Sequence, residues 1–357
     1  MKVLMISSDI GVRGGAEVFV ESLSYELTQL GHKVDLRIIP SAHGSRAKAI
    51  LRHVEDIYNP SAVSEIRRRL RATHYDIVHV HNFHGLSTAI FAEIRRHAVS
   101  VVWTVHDYRI LCYTGMFMRE GKSCSRQHAV CRALYNLKKL YLSDKVAIVA
   151  PSEYLRDALS RYIKYDIQVI RNGTSHPAGV DGLENVSVSN QIRLGYIGRL
   201  TDEKGVEELA SAVSSLDRDD VHLDVVGDGP SYQRLLLEYS SSSRVRMLGS
   251  LGGESKWRWF AELDALVVPS LWPENAPLVV YEAIGMKLPI IASKVGGIPE
   301  VVQNGVNGIL VESNAWTEVL SCISKGDLLR LKSQMKEIEI RDMSIVASEY
   351  EQLYRSL

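Results

Sequence analysis

Short runs rich in Val, Ile and Leu alternate along this chain with stretches of helical periodicity. A chain patterned this way buries itself as parallel sheets covered by helices. In the first half the runs are Val3–Ile6, Val34–Ile39, Ile77–Val80, Val101–Thr104, Ala147–Ala150 and Ile167–Ile170, with helical stretches such as Ala16–Leu30, Ser61–Arg71 and Ser152–Tyr162 between them. The segment NGTSHPAGVDGLENVSVSNQ, Asn172 to Gln191, is polar, rich in Gly and Ser and aperiodic, and reads as a linker. The alternation then restarts with Ile192–Ile197, Val221–Val226, Val245–Leu248, Ala265–Val268, Ile290–Ala292 and Gly308–Val311. We therefore expect an α/β protein of two doubly wound, Rossmann-like domains, 1–174 and 191–340, joined by a linker over 175–190. A last helix over 341–357 is expected to pack back on the first domain. In such an architecture the ligand cleft lies between the domains, with the carboxyl ends of both sheets facing it.

The 357 residues are 46% hydrophobic and 24% charged, the make-up of an ordinary globular protein large enough for two cores. Formal net charge is zero but unevenly spread: residues 1–170 hold 24 Lys+Arg and 16 Asp+Glu, net +8, and residues 171–357 hold 18 and 26, net −8. The two halves are thus suited to different partners, and nucleic acid is not expected. The start, Met1 to Ile6, reads as a strand rather than an export signal, and no apolar run approaches the ~18 residues of a spanning helix. Cys112, Cys124, Cys131 and Cys322 are then expected as reduced thiols. The expected location is the cytoplasm, or the cytoplasmic face of a membrane as a peripheral protein.

The motif with most chemistry in it is WPENAPLVVYEAIGMKLPIIASKVGGIPE, Trp272 to Glu300. Pro277 suits a helix start, which puts Glu274 on the loop before the helix and Glu282 in its second turn. Amides at such a helix start lack internal partners and suit an anion. A positive helix end flanked by two carboxylates fits a ligand with phosphates at one point and hydroxyls at two others, as in a sugar nucleotide, although two solvated helix-end charges give the same residues. In LGYIGRLTDEKG, Arg199 and Lys204 stand at the carboxyl end of the second half's first strand, where both could reach a diphosphate, although either alone reads as an ordinary surface charge.

SSDIGVRGGAEVF brings Gly11, Gly14 and Gly15 to the turn before the first helix, without the G-x-G-x-x-G spacing of a dinucleotide fold. VVGDGPSYQRLL is a further glycine-rich strand-to-helix turn. His106 falls at the end of a strand, His79 and His81 share one side of another, and His84 lies just past it; core packing explains each alone. Cys112, Cys124, His128 and Cys131 cluster loosely, but not at the spacing of a zinc finger. The Asp-x-Asp in LDRDD, Leu216–Asp220, falls in a helix-to-strand turn at the opposite end of the sheet from the expected site.

Taken in order, these residues resemble a retaining glycosyltransferase of glycosyltransferase family 4, with the GT-B fold. The resemblance runs from Gly14-Gly15-Ala16-Glu17 through Thr104-Val105-His106-Asp107, Pro151-Ser152, Arg171-Asn172-Gly173, Gly198-Arg199 to Lys204-Gly205, and Gly227-Asp228-Gly229. It continues through Glu274 and Glu282, Gly296-Gly297-Ile298-Pro299-Glu300, and Asn304-Gly305 to Gly308.

The resemblance implies that Arg199 and Lys204 hold the diphosphate of a UDP- or GDP-type donor, and that amides from Asn275 through Ala276, Pro277 and Leu278 to Val279 meet its sugar and phosphates. Glu274 would bind donor sugar hydroxyls, Glu282 the ribose, and His106 the sugar near the reacting carbon, with Gly14 and Gly15 close to the donor phosphate and the acceptor. Residues Arg246, Met247 and Leu248 are expected as a loop that selects the base. Neither a cofactor nor a metal is implied, and no protein nucleophile. One departure stands out: Glu274-Asn275-Ala276-Pro277 replaces the commoner Glu-Gly-Phe-Gly.

The implied acceptor is a glycan hydroxyl, on a polyprenyl-diphosphate lipid in bacterial surface-polysaccharide assembly. Basic stretches, EIRRRLRATH and the set Arg119, Lys122, Arg126, Arg132, Lys138 and Lys139, would face an anionic membrane. Other readings stay open: a transferase to a small soluble acceptor, a retaining glycosidase using Glu274 and Glu282, a sugar-nucleotide epimerase, or a sugar-nucleotide-binding protein without activity.

Overall fold

Val3, Leu4, Met5 and Ile6 are each completely buried, as expected of a strand with helices on both faces. They belong to β1 (Lys2–Asp9), the second strand in space of a six-stranded, all-parallel sheet. The computed structural model describes residues 1–9, 14–40, 53–82, 84–119, 122–174, 190–312 and 314–357. The expected linker, apart from its last residue, lies outside them. The chain forms two compact units, one of residues 1–172 with 343–357 and one of residues 173–342.

In the first unit the sheet contains β1, β2 (Lys33–Pro40), β3 (Ile77–Val80), β4 (Ser100–Thr104), β7 (Val146–Ala150) and β8 (Ile167–Val169), in the spatial order β2-β1-β3-β4-β7-β8. The order reverses between β1 and β3, which makes their carboxyl ends a switch point. A two-stranded antiparallel hairpin of β5 (Met118–Arg119) and β6 (Lys122–Ser123) stands apart from the sheet. Helix Pro60–Ala72 begins where Asn59 accepts the amides of Ser61 and Ala62, at 3.0 and 3.2 Å, with Pro60 in the first turn.

The C-terminal helix, Met343–Ser356, buries Met343, Val346, Ala347, Tyr350, Leu353 and Tyr354, a three-and-four spacing that makes one apolar face. That face packs against helix Gly15–Gln29 and reaches the sheet: Tyr350 and Thr104 share a hydrogen bond of 2.8 Å, and Tyr354 and His79 one of 2.6 Å.

The second unit repeats the plan with β9 (Ile192–Ile197), β10 (Val221–Val226), β11 (Val245–Gly249), β12 (Ala265–Val268), β13 (Ile290–Ser293) and β14 (Gly308–Val311), ordered β11-β10-β9-β12-β13-β14. Here the order reverses between β9 and β12. Alternate residues feed two cores. Ala265 and Val267 join one with Leu194 and Leu223, while Leu266 and Val268 join another with Phe260 and Ile290. One buried charge interrupts the apolar strands: Asp224 on β10 accepts hydrogen bonds from Arg193, Arg246 and the Trp259 indole at 3.0, 2.8 and 3.2 Å.

Candidate functional site

In the second unit, the loops after β9 and β12 leave the sheet side by side at its switch point. The first runs through Gly198 and the exposed Arg199 into a tight helical turn, Asp202–Lys204, ahead of helix Val206–Ser214. The second runs from Pro269 to Pro277 and opens helix Leu278–Gly285. Backbone bonds from Leu271 and Trp272 to the Glu203 carbonyl, 2.9 and 3.4 Å, tie the two loops together. Gly205 allows the close approach: at φ +68° it sits where a Cβ would stand 2.0 Å from the Pro269 carbonyl oxygen.

Held in this way, Lys204 Nζ donates to Glu274 Oε1 at 2.6 Å, and Ser270 Oγ donates to the same oxygen at 2.7 Å. Glu274 is buried, and its backbone is clamped in turn. Gly297 N–H donates to the Glu274 carbonyl at 2.6 Å, and a Cβ on Gly296 (φ +59°) would fall 2.1 Å from that oxygen. This accounts for the paired glycines of the GGIPE motif.

Glu282, also buried, points one oxygen at Lys256 Nζ, 2.5 Å away on helix Gly253–Ala261. Its other oxygen, Oε2, is buried with no hydrogen-bond partner among the described residues. Pro277 is the residue before the helix rather than part of its first turn, and as a proline it has no N–H to offer. The helix-start amides are therefore those of Leu278 and Val279, preceded on the loop by Asn275 and Ala276. With Lys204 paired to Glu274 and Lys256 to Glu282, the helix-start amides and Arg199 are the groups here that suit an anion. Met247 is on strand β11, packed against one of the unit's cores, and its neighbour Arg246 is committed to Asp224. The expected base-selecting loop is therefore a strand, because Val245 to Gly249 pairs with β10, with a register shift at Leu248.

The first unit holds the rest of the sequence-expected residues. Gly14 precedes helix Gly15–Gln29, and its N–H is taken by Glu17 Oε2 at 2.9 Å; Gly11 lies outside the described residues. His106 follows β4, and its Nε2 is 3.1 Å from Nδ1 of His81, which follows β3. Together with Asn82, His84, Trp103, Val105, Asp107 and Arg109 these two histidines line a small pocket. Burial pushes the His106 imidazole down to about 4 and holds His79 and His81 well below the ordinary histidine value, so all three are neutral near pH 7. Burial likewise pushes the Asp107 carboxyl up. Behind the pocket, Asp56, wholly buried, accepts from Gly85 N–H at 2.8 Å and Arg109 Nε at 3.1 Å, with Lys138 Nζ at 3.5 Å.

Several basic residues expected on a surface are engaged elsewhere. Lys138 is 1% exposed, donating to the Arg109 carbonyl at 2.8 Å. Arg67 grips both oxygens of Glu93 at 2.9 Å, Arg68 and Arg69 bind Glu65, and Arg69 also reaches Asp35 at 3.3 Å. His128 stands against Arg119 at 2.8 Å rather than with the cysteines, and no three His, Cys, Asp or Glu side chains among the described residues are grouped as metal ligands. Within LDRDD, Arg218 pairs with Asp220 at 2.7 Å and caps the carbonyl of Ile323 at 2.8 Å, a structural turn. Sequence reasoning missed Lys256 and Ser270 altogether. Nothing in GGESKWRWF marks Lys256, because its partner is 26 residues further on.

Two all-parallel, doubly wound sheets of six strands, each with polar side chains gathered at its carboxyl ends, define the GT-B class of proteins. The model for Glycosyltransferase Family 4 matches residues 13–176, and that for glycosyl transferases group 1 matches residues 191–325. The chain belongs to the family 4 type of GT-B glycosyltransferases. Among relatives, it is 25% identical over 321 residues to an uncharacterized 42.6 kDa protein in the cps region of Klebsiella pneumoniae, covering 81% of this chain and 83% of that one. In fold it is similar to sucrose-phosphate synthase from Thermosynechococcus elongatus, with a TM-score of 0.75, 19% identity and coverage of 99% and 98% of the two chains. It is similar also to HepE from Anabaena, solved in complex with UDP, with a TM-score of 0.70, 19% identity and full coverage of both.

Proposed function

We propose that this glycosyltransferase moves a sugar from a nucleotide-diphosphate donor to a hydroxyl of a glycan acceptor, with retention at the anomeric carbon, in the assembly of a bacterial surface polysaccharide. The observation that carries the donor reading is the pair of lysine-held carboxylates, Glu274 and Glu282, at either side of one helix start. In this reading Arg199 and Lys204 take the diphosphate and stabilise the charge that develops on it as it leaves. Glu274 accepts from sugar hydroxyls, and the unpartnered Oε2 of Glu282 accepts from the ribose. The acceptor oxygen attacks on the face that the nucleotide vacates, so no side-chain nucleophile is required, and two cations stand where a metal would otherwise neutralise the diphosphate. HepE, a relative in fold, was solved with UDP, which favours a uridine donor.

A thermal-shift screen against UDP, GDP, ADP, CMP and their common sugar conjugates tests this, run in parallel on Glu282→Ala. A ligand at a hundred times its dissociation constant adds about 2.7 kcal/mol of stability. One nucleotide should stabilise the wild type and not the variant; no stabilisation by any would remove the donor reading. With that donor and an alkyl glycoside acceptor, the product's anomeric coupling constant tests retention, and activity undiminished by EDTA tests metal independence.

The polysaccharide setting is supported by the relative in the Klebsiella cps region, and in this reading the acceptor is carried on a polyprenyl-diphosphate lipid. No helix among the described residues is long and apolar enough to cross a membrane. The first unit does present an exposed surface of Val130, Leu137 and Leu140 at 63%, 48% and 70% exposure, with Arg126, Arg132 and Lys139 exposed around it. Apolar side chains ringed by cations suit peripheral contact with anionic lipid. Co-sedimentation with phosphatidylglycerol vesicles should weaken in Leu137→Ser/Leu140→Ser; equal binding to neutral phosphatidylcholine vesicles would rule the contact out.

A further inference from the structure

Lys204 is held on two sides. One is the Glu274 carboxylate, 2.6 Å from Nζ; the other is the indole of Trp272, whose ring centroid lies 5.0 Å from the same ammonium. The ring comes from the neighbouring loop, and that loop is registered against the lysine's own turn. Leu271 N–H and Trp272 N–H both donate to the carbonyl of Glu203, the residue before Lys204. The lysine side chain remains 18% exposed, so its ammonium is confined without being closed off from a ligand.

The two holders act differently on the charge. A carboxylate neutralises an ammonium, whereas an aromatic face attracts it through a quadrupole and carries no net charge to compete with a phosphate. Glu274 can release the lysine, because Ser270 Oγ already donates to the same carboxylate oxygen at 2.7 Å. The ring then keeps a cation on a long flexible stem near one position, which lowers the ordering cost of meeting an anion. What the indole supplies here is a face rather than a hydrogen bond, since its Nε1 is buried with no partner among the described residues. Phenylalanine would avoid that unpaired donor, yet of the aromatic rings tryptophan holds a cation best. We propose that Trp272 is a positioning residue of the donor site, an aromatic clamp that keeps the Lys204 ammonium poised for the diphosphate of a nucleotide donor. The proposal rests on the donor reading above, in which Lys204 takes the diphosphate, and adds the residue that holds it there.

Calorimetry compares UDP with uridine and GDP with guanosine, the nucleosides by displacement of their diphosphates. The proteins are wild type, Trp272→Phe, Trp272→Leu, Lys204→Met and the double variant Trp272→Leu/Lys204→Met. The diphosphate that the wild type binds should bind about tenfold more weakly to Trp272→Leu and about threefold more weakly to Trp272→Phe, with nucleoside affinity unchanged in both. In the Lys204→Met background the leucine substitution should have no further effect, since the ring then has no cation to hold. Trp272→Leu matching wild type for the diphosphate overturns the clamp. An equal loss for nucleoside and diphosphate also overturns it, because the ring would then touch the nucleoside or merely prop the loop, and so does a loss that persists undiminished without the lysine. If the leucine variant does not fold, Trp272→Phe decides alone: unchanged diphosphate affinity there overturns the clamp. Failure of the wild type to bind either diphosphate removes the donor reading and this proposal together, whereas normal binding with an indifferent Trp272 removes this proposal alone.

Discussion

Lys256 and Glu282 form a pair in which stability and binding can be told apart. Replacing the lysine leaves a buried carboxylate without its cation, so Lys256→Met should lower stability by roughly 3 kcal/mol in urea unfolding. Adding Glu282→Leu should restore much of that loss, since a well-packed apolar pair often replaces a buried ion pair at no cost. Nucleotide binding should fall in the single variant and stay lost in the double. Recovery of binding along with stability would show that Glu282 does not touch the ligand. A second residue-scale expectation concerns Gly205. Alanine there takes on a left-handed backbone at ~1–2 kcal/mol and drives a methyl group into the Pro269 carbonyl. The variant should lose at least about 2 kcal/mol and bind UDP more weakly, because the loop carrying Lys204 is pushed from the loop carrying Glu274. The same loss of stability with UDP affinity unchanged would uncouple the glycine from the site.

Glu93 on helix Ala89–Arg95 ties it to helix Pro60–Ala72 through Arg67, with Arg96 and His97 also against its carboxylate. The Arg67 hydrogen bonds hold its carboxyl down to about 2. A depressed value of this kind stabilises the fold above the ordinary carboxylate range, and the stabilisation is lost as pH falls from about 4.5 toward 2. Glu93→Gln should therefore be clearly less stable than wild type at pH 7, with the gap closing as the pH is lowered through that window; a gap independent of pH would contradict the assignment. Elements of this scale were also the most legible in the sequence. Val221–Val226, Ala265–Val268 and Gly308–Val311 are strands at the expected bounds, since an apolar run covered on both faces announces itself without reference to its neighbours. Helix Ala129–Lys138 gave no such signal because its pattern is inverted: Val130 and Leu137 face out while Lys138 is buried on Asp56. The β5–β6 hairpin has two residues to a strand and no apolar run at all. In the candidate site, the glycines and charges at strand ends were visible because loops carry them in motifs. Their partnerships were not, since Lys204 and Glu274 are 70 residues apart and only the switch point brings them together.

At the scale of the whole chain, the first unit is built from two separated stretches, residues 1–172 and 343–357, with the second unit inserted between them in sequence. Removing residues 343–357 uncovers helix Gly15–Gln29 and takes away Tyr350 and Tyr354, the partners of Thr104 and His79. The truncated chain should lose the first unit's unfolding transition in calorimetry while the second unit's persists; two intact transitions would show that the terminal helix is dispensable. The uneven charge divides along the same line, so raising ionic strength should weaken contacts of the basic first half with anionic surfaces. The inserted order also sets a timetable for a chain being made. Domains ordinarily fold as they emerge, amino end first, at about 5–20 residues per second. Here the opening sheet must wait for the 170 residues of the second unit to be synthesised before its last helix arrives, roughly 10–30 s later. Of the two units, the one begun earlier is completed later, and until residues 343–357 emerge its apolar helix face is one for chaperones to cover.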